Sequence, residues 1–134
     1  MNIQQQLKSH HLSITPVRVA VLEMLAQNPH TEANHLFKLV QQKISTTSIQ
    51  AVYNNLNTLV THNLVREVHI KGMPTRYETQ KNDNHHHLVC RSCHIMMDTH
   101  CQQDTKTLTP IEDHGFNIND IEIIFWGICP KCQK

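Results

Sequence analysis

The 134-residue sequence has few aromatic residues, few glycines and no long apolar segment. Aromatic residues make up 4% of the chain, and there are three glycines. With so few large side chains, a hydrophobic core must be thin and mostly aliphatic, and small units with thin cores are often stabilised by a metal. No window of about 18 consecutive apolar residues occurs, so we expect no membrane-spanning helix.

The N-terminal stretch MNIQQQLKSHHLS also lacks the apolar segment of a secretory signal peptide. We therefore expect a cytoplasmic protein. In that reducing compartment, paired cysteines are more typical of metal sites than of disulfides.

Neither sign of charge dominates, since the formal net charge is +1. The two halves differ, however: residues 1–78 hold seven basic and four acidic residues, whereas residues 79–134 hold five and seven. The basic half is a mild indication of a polyanionic partner. Histidine is abundant instead, and its 12 copies supply many potential metal ligands.

The first half shows the periodicity of helices. A short polar helix precedes a second one that Thr15 caps and Pro16 begins. Further helices are expected near Thr31 and at Thr47, where Thr47 and Gln50 fit a capping box. The apolar positions of the three longer helices are Val17, Val21, Leu22, Leu25, Leu36, Leu39, Val40, Ile49, Val52, Leu56, Leu59 and Val60.

After Leu64 the period changes to that of strands. The stretches LVREVHIK and TRYETQ predict two strands joined by a turn at Gly72–Met73–Pro74. Three helices followed by a β-hairpin is the order of a winged helix-turn-helix, whose third helix enters the major groove of DNA. We therefore predict a winged-helix domain over residues 1–80.

The polar stretch KNDN, residues 81–84, predicts a hinge before a second domain over residues 85–134. The elements expected there are strands over 86–90 and 95–99, a helix over about 102–114 that ends at Gly115, and a strand over 121–126. The last strand is apolar on both faces, which favours pairing with another chain.

Two C-x-x-C pairs, Cys90/Cys93 and Cys129/Cys132, carry the most specific signal in the sequence. A gap of two residues lets both sulfurs of a pair face one ion, and two such pairs complete a closed tetrahedral zinc site. Redox-active dithiols are the alternative, but the βαβ context of a thioredoxin-like protein is absent. Cys101 is left over; a partly buried free thiol is favoured over a further metal ligand, and the thiol is a candidate for oxidation.

Histidines cluster immediately before the first cysteine pair. His85 and His87 alternate along an incipient strand and therefore share one face, while His86 points to the other. Asp98 lies on the partner strand. Imidazole and carboxylate together suit Fe(II), Mn(II) or Zn(II), although a solvated histidine-rich loop explains the same composition.

Several motifs together resemble those of the ferric uptake regulator superfamily, over nearly the whole chain. They are His30-Thr31, Tyr53-Asn54-Asn55-Leu56, Gly-x-x-x-Arg76-Tyr77-Glu78, HHHLVC-x-x-C and GIC-x-x-C. The stretches TSIQAVYNNLNTL, DTHC and EIIFWGICPKC are most similar to the peroxide-sensing branch. The resemblance implies an α+β fold: an N-terminal winged helix-turn-helix domain plus a small α/β dimerisation domain with a four-cysteine zinc site.

The resemblance also implies three sets of functional residues. The regulatory metal ligands would be His30, Glu78, His85, His87 and Asp98, of which His30 and His85 match the positions sensitive to oxidation. The cysteines of the two C-x-x-C pairs match the ligands of structural zinc. For DNA binding the resemblance marks Arg18, Tyr53 and Asn54, and the start of the third helix, residues 48–55, adds Ser48 and Asn55. In that set, Tyr53 suits contact with a thymine methyl and Asn54 or Asn55 suits adenine, while Arg18 and Ser48 suit phosphate; half-buried packing is the alternative for Tyr53.

The sequence departs from the family pattern in two places. His94 stands where a glycine usually follows the first C-x-x-C pair, and Ile121 stands where a histidine often contributes to a further metal site. His86 and Asp104 could supply part of that further site.

The implied function is that of a cytoplasmic, homodimeric transcriptional repressor that binds AT-rich, palindromic operator DNA. It would use structural zinc and regulatory Fe(II) or Mn(II), and would sense hydrogen peroxide through Fe(II)-catalysed oxidation of a ligand histidine, thereby controlling oxidative-stress genes. Iron-responsive repression of uptake genes, or zinc or nickel sensing, is the alternative within the family. A zinc hydrolase is disfavoured because no H-E-x-x-H motif or comparable site occurs. A zinc module without a DNA role leaves the winged-helix pattern unexplained.

Overall fold

The computed structural model describes residues 2–80, 85–101 and 108–134, apart from the side chain of His85. The chain divides into two compact units, Met1–Lys81 (unit 1) and Asn82–Lys134 (unit 2). None of the helices in the described ranges is long and apolar enough to cross a membrane. The predicted hinge, residues 81–84, lies outside the described residues.

Four helices make up most of unit 1. They are α1 (Ile3–Ser9), α2 (Pro16–Gln27), α3 (Ala33–Lys43) and α4 (Ile49–Thr61). As predicted, the Thr15 side chain accepts a hydrogen bond from the backbone N–H of Arg18, and Pro16 is the first residue of α2. The start of α2 is therefore set by local side-chain chemistry.

The start of α4 differs from the prediction by one residue. Ser48, not Thr47, is the cap, because its Oγ accepts from the backbone N–H of Ala51 at 3.1 Å. The Thr47 hydroxyl oxygen is buried and has no hydrogen-bond partner among the described residues. The predicted capping box of Thr47 and Gln50 is therefore wrong.

A three-stranded antiparallel sheet completes unit 1. Its strands are β1 (Thr31–Glu32), β2 (Val65–Val68) and β3 (Arg76–Thr79), in the order β1-β3-β2. The predicted hairpin of β2 and β3 is confirmed, and Gly72 in its turn has a φ of 81°, which glycine adopts at little cost. Residues 31 and 32, expected to open α3, pair with β3 instead, so α3 begins at Ala33.

An aliphatic core joins these elements. Leu25, Leu36 and Leu56, one from each long helix, are fully buried, and burying such a side chain contributes about 1.5–3 kcal/mol. Leu7 of α1 and Tyr77 of β3 belong to the same cluster. Because the core fixes the inner face of α4, its opposite face is turned to solvent.

Unit 2 contains a second three-stranded sheet. Its strands are β4 (His85–Cys90), β5 (Met96–His100) and β6 (Ile124–Gly127), in the order β5-β4-β6. Strand β4 is antiparallel to β5 and parallel to β6. The buried apolar residues described here are few, namely Val89, Cys90 and Met96, which agrees with the need for a metal.

The helix predicted over residues 102–114 is wrong over its second half, because residues 108–114 are not helical. Pro110 lies in that stretch and would disrupt a helix interior. Residues 102–107, which include Asp104, lie outside the described residues. Helices and a hairpin in unit 1 with a sheet in unit 2 confirm the α+β class.

Candidate metal centres and nucleic-acid interface

Four cysteine sulfurs converge in unit 2. Cys90 and Cys93 lie at the end of β4, while Cys129 and Cys132 follow β6, and because β4 and β6 are parallel neighbours, both pairs emerge at the same end of the sheet. The sulfurs all lie within 4.8 Å of one another, and those of Cys93 and Cys129 are 3.7 Å apart. Zinc–sulfur bonds of about 2.3 Å give tetrahedral edges of about 3.8 Å. The cluster therefore fits structural zinc, as predicted.

The backbone prepares Cys90 to bind a cation. Its Sγ accepts hydrogen bonds from the N–H groups of Cys129 at 3.3 Å, and of Cys93 and Ser92 at 3.4 Å. The hydrogen bonds from the N–H groups of Cys129 and Cys93 are the main reason that the pKa of the Cys90 thiol is lowered from 9.0 to about 6. Because the thiolate is the zinc ligand, Cys90 is ready to bind zinc at neutral pH.

His94 keeps the backbone conformation that usually belongs to glycine. Its φ is 65°, in the left-handed region, and its N–H donates to the carbonyl oxygen of Cys90 at 3.0 Å. The histidine therefore preserves the turn at some conformational cost.

His30 and Glu78 form a buried pair in unit 1. The Nε2 of His30 lies 3.1 Å from Oε2 of Glu78, and the side chains are 9% and 4% exposed. His30 immediately precedes β1 and Glu78 lies on β3, so the pairing of these strands brings them together. His30 has a φ of 62°, which histidine and asparagine tolerate better than most residues.

His87 and Asp98 form a second pair, in unit 2. They lie opposite each other on β4 and β5, and Nε2 of His87 is 3.6 Å from Oδ1 of Asp98. The side chain of His87 is 4% exposed and that of Asp98 is 34% exposed. His86 is also buried, whereas the side chain of His85 lies outside the described part of the chain.

Three of the predicted DNA-binding residues lie at the N-cap or on the outer face of α4. Ser48, Tyr53 and Asn54 are exposed, and Gln50 donates from Nε2 to Oδ1 of Asn54 at 2.9 Å. A helix with polar and aromatic groups on its solvent side has the chemistry that major-groove reading requires.

Arg18 and Asn55 are joined to each other rather than left open to solvent. The Nε of Arg18 donates to Oδ1 of Asn55 at 3.1 Å, and its Nη1 donates to the carbonyl and hydroxyl oxygens of Ser13 at 3.0 and 3.1 Å. Nδ2 of Asn55 donates to the carbonyl oxygen of Ala51 at 2.8 Å. The sequence did not single out Ser13, since a serine in the loop between α1 and α2 carries no periodic or motif signal.

Comparison with known protein families decides the family of this chain. Residues 9–126 match the model of the ferric uptake regulator family. The chain belongs to the ferric uptake regulator family. This confirms the family predicted from the sequence motifs.

Two relatives and one solved structure show the extent of the similarity. The chain is 40% identical over 130 residues to transcriptional regulator FurA of Mycobacterium tuberculosis, covering 96% of this chain and 88% of the relative. It is 43% identical over 122 residues to ferric uptake regulation protein 1 of Mycolicibacterium fortuitum, covering 90% and 76%. The crystal structure of the Campylobacter jejuni peroxide stress regulator superposes with a TM-score of 0.71 at 29% identity, covering 98% and 100%.

Family membership fixes the general function. The protein is a metal-dependent transcriptional regulator and not an enzyme. Repressors of this family bind operator DNA as dimers.

Proposed function

We propose that this ferric uptake regulator is a repressor whose DNA binding requires a regulatory Fe(II) or Mn(II) ion. The observation that carries the proposal is an imidazole–carboxylate pair in each unit, His30 with Glu78 and His87 with Asp98. Two ligand atoms that are each about 2.1 Å from one ion lie about 3.0 Å apart in octahedral and about 3.4 Å apart in tetrahedral geometry. The separations of 3.1 and 3.6 Å are close to these values.

An ordinary hydrogen bond explains the first pair equally well but not the second. A separation of 3.6 Å between His87 and Asp98 exceeds that of a hydrogen bond; it suits a direct ion pair as well as two ligands of one cation. Imidazole and carboxylate ligands favour borderline and hard divalent ions. The resemblance adds His85, so the proposed ligands are His30, Glu78, His85, His87 and Asp98.

Ligands from both units on one ion would restrict the mutual orientation of those units. In a dimer, that orientation sets the spacing of two recognition helices, which must match about one turn of DNA or a multiple of it. A tenfold gain in DNA affinity requires only about 1.4 kcal/mol of differential metal binding. The coupling must be reciprocal, so operator DNA would tighten metal binding.

Peroxide sensing is the proposed signal. When bound, Fe(II) supplies the chemistry by which one oxygen atom of hydrogen peroxide replaces a C–H of a ligand imidazole with C–OH while the other leaves as water. His30 and His85 hold the positions that the resemblance marks as sensitive. Oxidation of either one weakens the ligand set and favours release of DNA, which would derepress oxidative-stress genes.

Iron-responsive repression is the second candidate. It is favoured by the similarity to ferric uptake regulation protein 1 of M. fortuitum, whereas the 29% identity to the C. jejuni peroxide stress regulator favours the first. Reversible loss of Fe(II) without histidine oxidation would identify the iron sensor. A response to zinc or nickel alone would identify the remaining branch of the family.

The proposed partners are a second copy of the chain and an AT-rich, palindromic operator. Phe125 and Trp126 of β6 are 45% and 43% exposed in the single chain, which supports burial in a homodimer. Tyr53 and Asn54 on α4 suit thymine and adenine. Since operator DNA lies in the bacterial cytoplasm, the proposed function implies a cytoplasmic location.

Substitution of one ligand in each unit tests the shared site. The probe is a duplex selected from a random pool by the Mn(II)-loaded protein. We expect His30→Asn and Asp98→Asn each to raise the Mn(II) concentration needed for DNA binding by at least about tenfold. Asparagine tolerates the positive φ of His30, so the backbone is retained.

His114→Asn is the matched control, because His114 also has a positive φ, 50°, but is exposed and pairs with Glu112. It should bind DNA as the wild type does. Normal Mn(II) dependence in Asp98→Asn would contradict a ligand set drawn from both units.

Mass spectrometry tests the signal separately. After exposure to peroxide, the Fe(II) form should gain one oxygen atom on His30 or His85, and the Mn(II) form should not. If the Fe(II) form gains no oxygen on either histidine, the iron-responsive alternative replaces peroxide sensing.

A further inference from the structure

The guanidinium of Arg18 is held from two sides within unit 1. Asn55 of α4 accepts from Nε, and Ser13, in the loop before α2, accepts from Nη1 through both its carbonyl and its hydroxyl oxygen. Arg18 is only half-buried. This arrangement, which we term the Arg18 bracket, consists of Ser13, Arg18 and Asn55 and joins the start of α2 to the recognition helix.

The bracket also fixes which way the Asn55 amide points. Arginine only donates hydrogen bonds, so the Asn55 atom facing Nε must be the oxygen. The carbonyl of Ala51 only accepts, so the atom facing it must be the nitrogen. Both ends of the amide therefore bond within the protein.

An asparagine that reads adenine uses both ends of its amide on the base. Asn55 keeps one lone pair on Oδ1 and one N–H on Nδ2, but its bonds to Arg18 and to Ala51 hold the amide in one orientation, and turning it onto a base would break them. Asn54, its neighbour, is exposed, and the only bond described for its side chain is the one accepted from Gln50. The geometry thus separates two adjacent asparagines that the sequence treats alike.

The bracket leaves one edge of the guanidinium available. Among the described residues, no bond is made by Nη2, which carries two N–H groups. A guanidinium whose orientation is already fixed loses little freedom when it binds a phosphate oxygen, and it binds with charge-assisted hydrogen bonds.

We infer that Asn55 is a positioning residue: together with Ser13 it orients Arg18 toward a phosphate of the DNA backbone, and it reads no base. The inference rests on the proposed entry of α4 into operator DNA. Because Arg18 is bonded to α4 itself, its phosphate contact also fixes where the recognition helix lies along the groove.

Salt dependence and base preference distinguish positioning from reading. With the duplex selected by the Mn(II)-loaded protein, Arg18→Ala should lower the slope of log affinity against log salt by about one per protomer. Asn55→Leu should lower the slope toward the Arg18→Ala value and weaken affinity about two- to tenfold. That loss should be uniform across duplexes that each carry one altered base pair.

A double-mutant cycle tests the connection directly. Adding Asn55→Leu to Arg18→Ala should cost no further affinity, because the two residues act through one phosphate contact. Ser13→Ala, which lies outside α4, should produce a smaller loss of the same kind. Asn54→Leu is the matched control and should leave the salt slope unchanged.

Loss of preference at one base pair in Asn55→Leu, or additive losses in the double mutant, would overturn the inference. Thermal unfolding of each variant shows whether it is folded. If Asn55→Leu does not fold, Ser13→Ala provides the test, and an unchanged salt slope in a folded Ser13→Ala would overturn the inference. If the wild type itself shows no metal-dependent DNA binding, the proposed function fails instead, so the two failures are distinct.

Discussion

At the residue scale, Tyr77 shows how the local environment controls ionisation. It is one of two tyrosines in the chain and is buried on β3. Burial raises the pKa of its phenol above 10.0, and the charges of Glu67 and Tyr53 raise it further. A phenol with a raised pKa in the folded state contributes stability that is fully present below the unfolded value and is lost as the pH rises through the folded value.

We therefore predict that unit 1 loses stability above pH 10, and that Tyr77→Phe removes this dependence. Tyr53→Phe leaves Tyr77 as the remaining tyrosine, so its ionisation can be followed by tyrosinate absorbance. Its midpoint should lie above 10.0. A midpoint at or below that value would show that the site does not disfavour the phenolate.

His94 is the second residue whose conformation leads to a prediction. At a φ of 65°, a histidine is strained where glycine is not. His94→Gly should therefore stabilise the zinc-bound protein by about 1 kcal/mol, measured by thermal unfolding.

The control lies in the same turn. Ser92 is not among the described residues with positive φ, so Ser92→Gly should destabilise through the added freedom of the unfolded chain. Stabilisation by both substitutions would show that the effect does not come from the left-handed backbone.

At the scale of single elements, the cap of α4 determines where this helix, the proposed recognition helix, begins. Ser48→Ala should destabilise unit 1 by about 1 kcal/mol, because the N–H of Ala51 loses its partner. Thr47→Ala should cost less, since the Thr47 hydroxyl has no partner among the described residues. Denaturant unfolding measures both, and a larger cost for Thr47→Ala would assign the cap to Thr47 instead.

Local signals in the sequence predicted some elements well. Thr15 and Pro16 marked the start of α2, and the glycine turn marked the hairpin, because these residues act on their immediate neighbours. They could not separate Thr47 from Ser48, since either residue type can cap a helix. Strand β1 was missed because two residues have no period and its partner lies on distant β3.

The candidate sites show the same contrast: those set by local sequence were predicted from it, and those formed by distant residues were not. The spacing of the cysteines was sufficient to predict zinc, because each pair is local. His30 and Glu78 were included only through the family resemblance, since they are distant in sequence and meet through strand pairing. The bond between Arg18 and Asn55 had no sequence signal at all, and it changes the role proposed for Asn55.

At the scale of the whole molecule, the two units should differ in their need for zinc. The buried aliphatic cluster lies entirely in unit 1, as do all helices in the described ranges. Cys90→Ser should lose the zinc and unfold unit 2, while the helical circular dichroism of unit 1 remains. Cys101→Ser, outside the four-cysteine cluster, should retain zinc. Complete loss of helical signal in Cys90→Ser would show that unit 1 cannot fold alone.

In the proposed function, the metal-bound ligand set holds the protein in its DNA-binding form until peroxide alters it. The most direct measurement is DNA affinity of the Fe(II) and Mn(II) forms before and after peroxide. The proposed function predicts that both forms bind tightly at first, that peroxide releases DNA from the Fe(II) form alone, and that fresh Fe(II) does not restore binding. If peroxide leaves DNA bound to the Fe(II) form, or releases it equally from both forms, the protein does not sense peroxide through Fe(II).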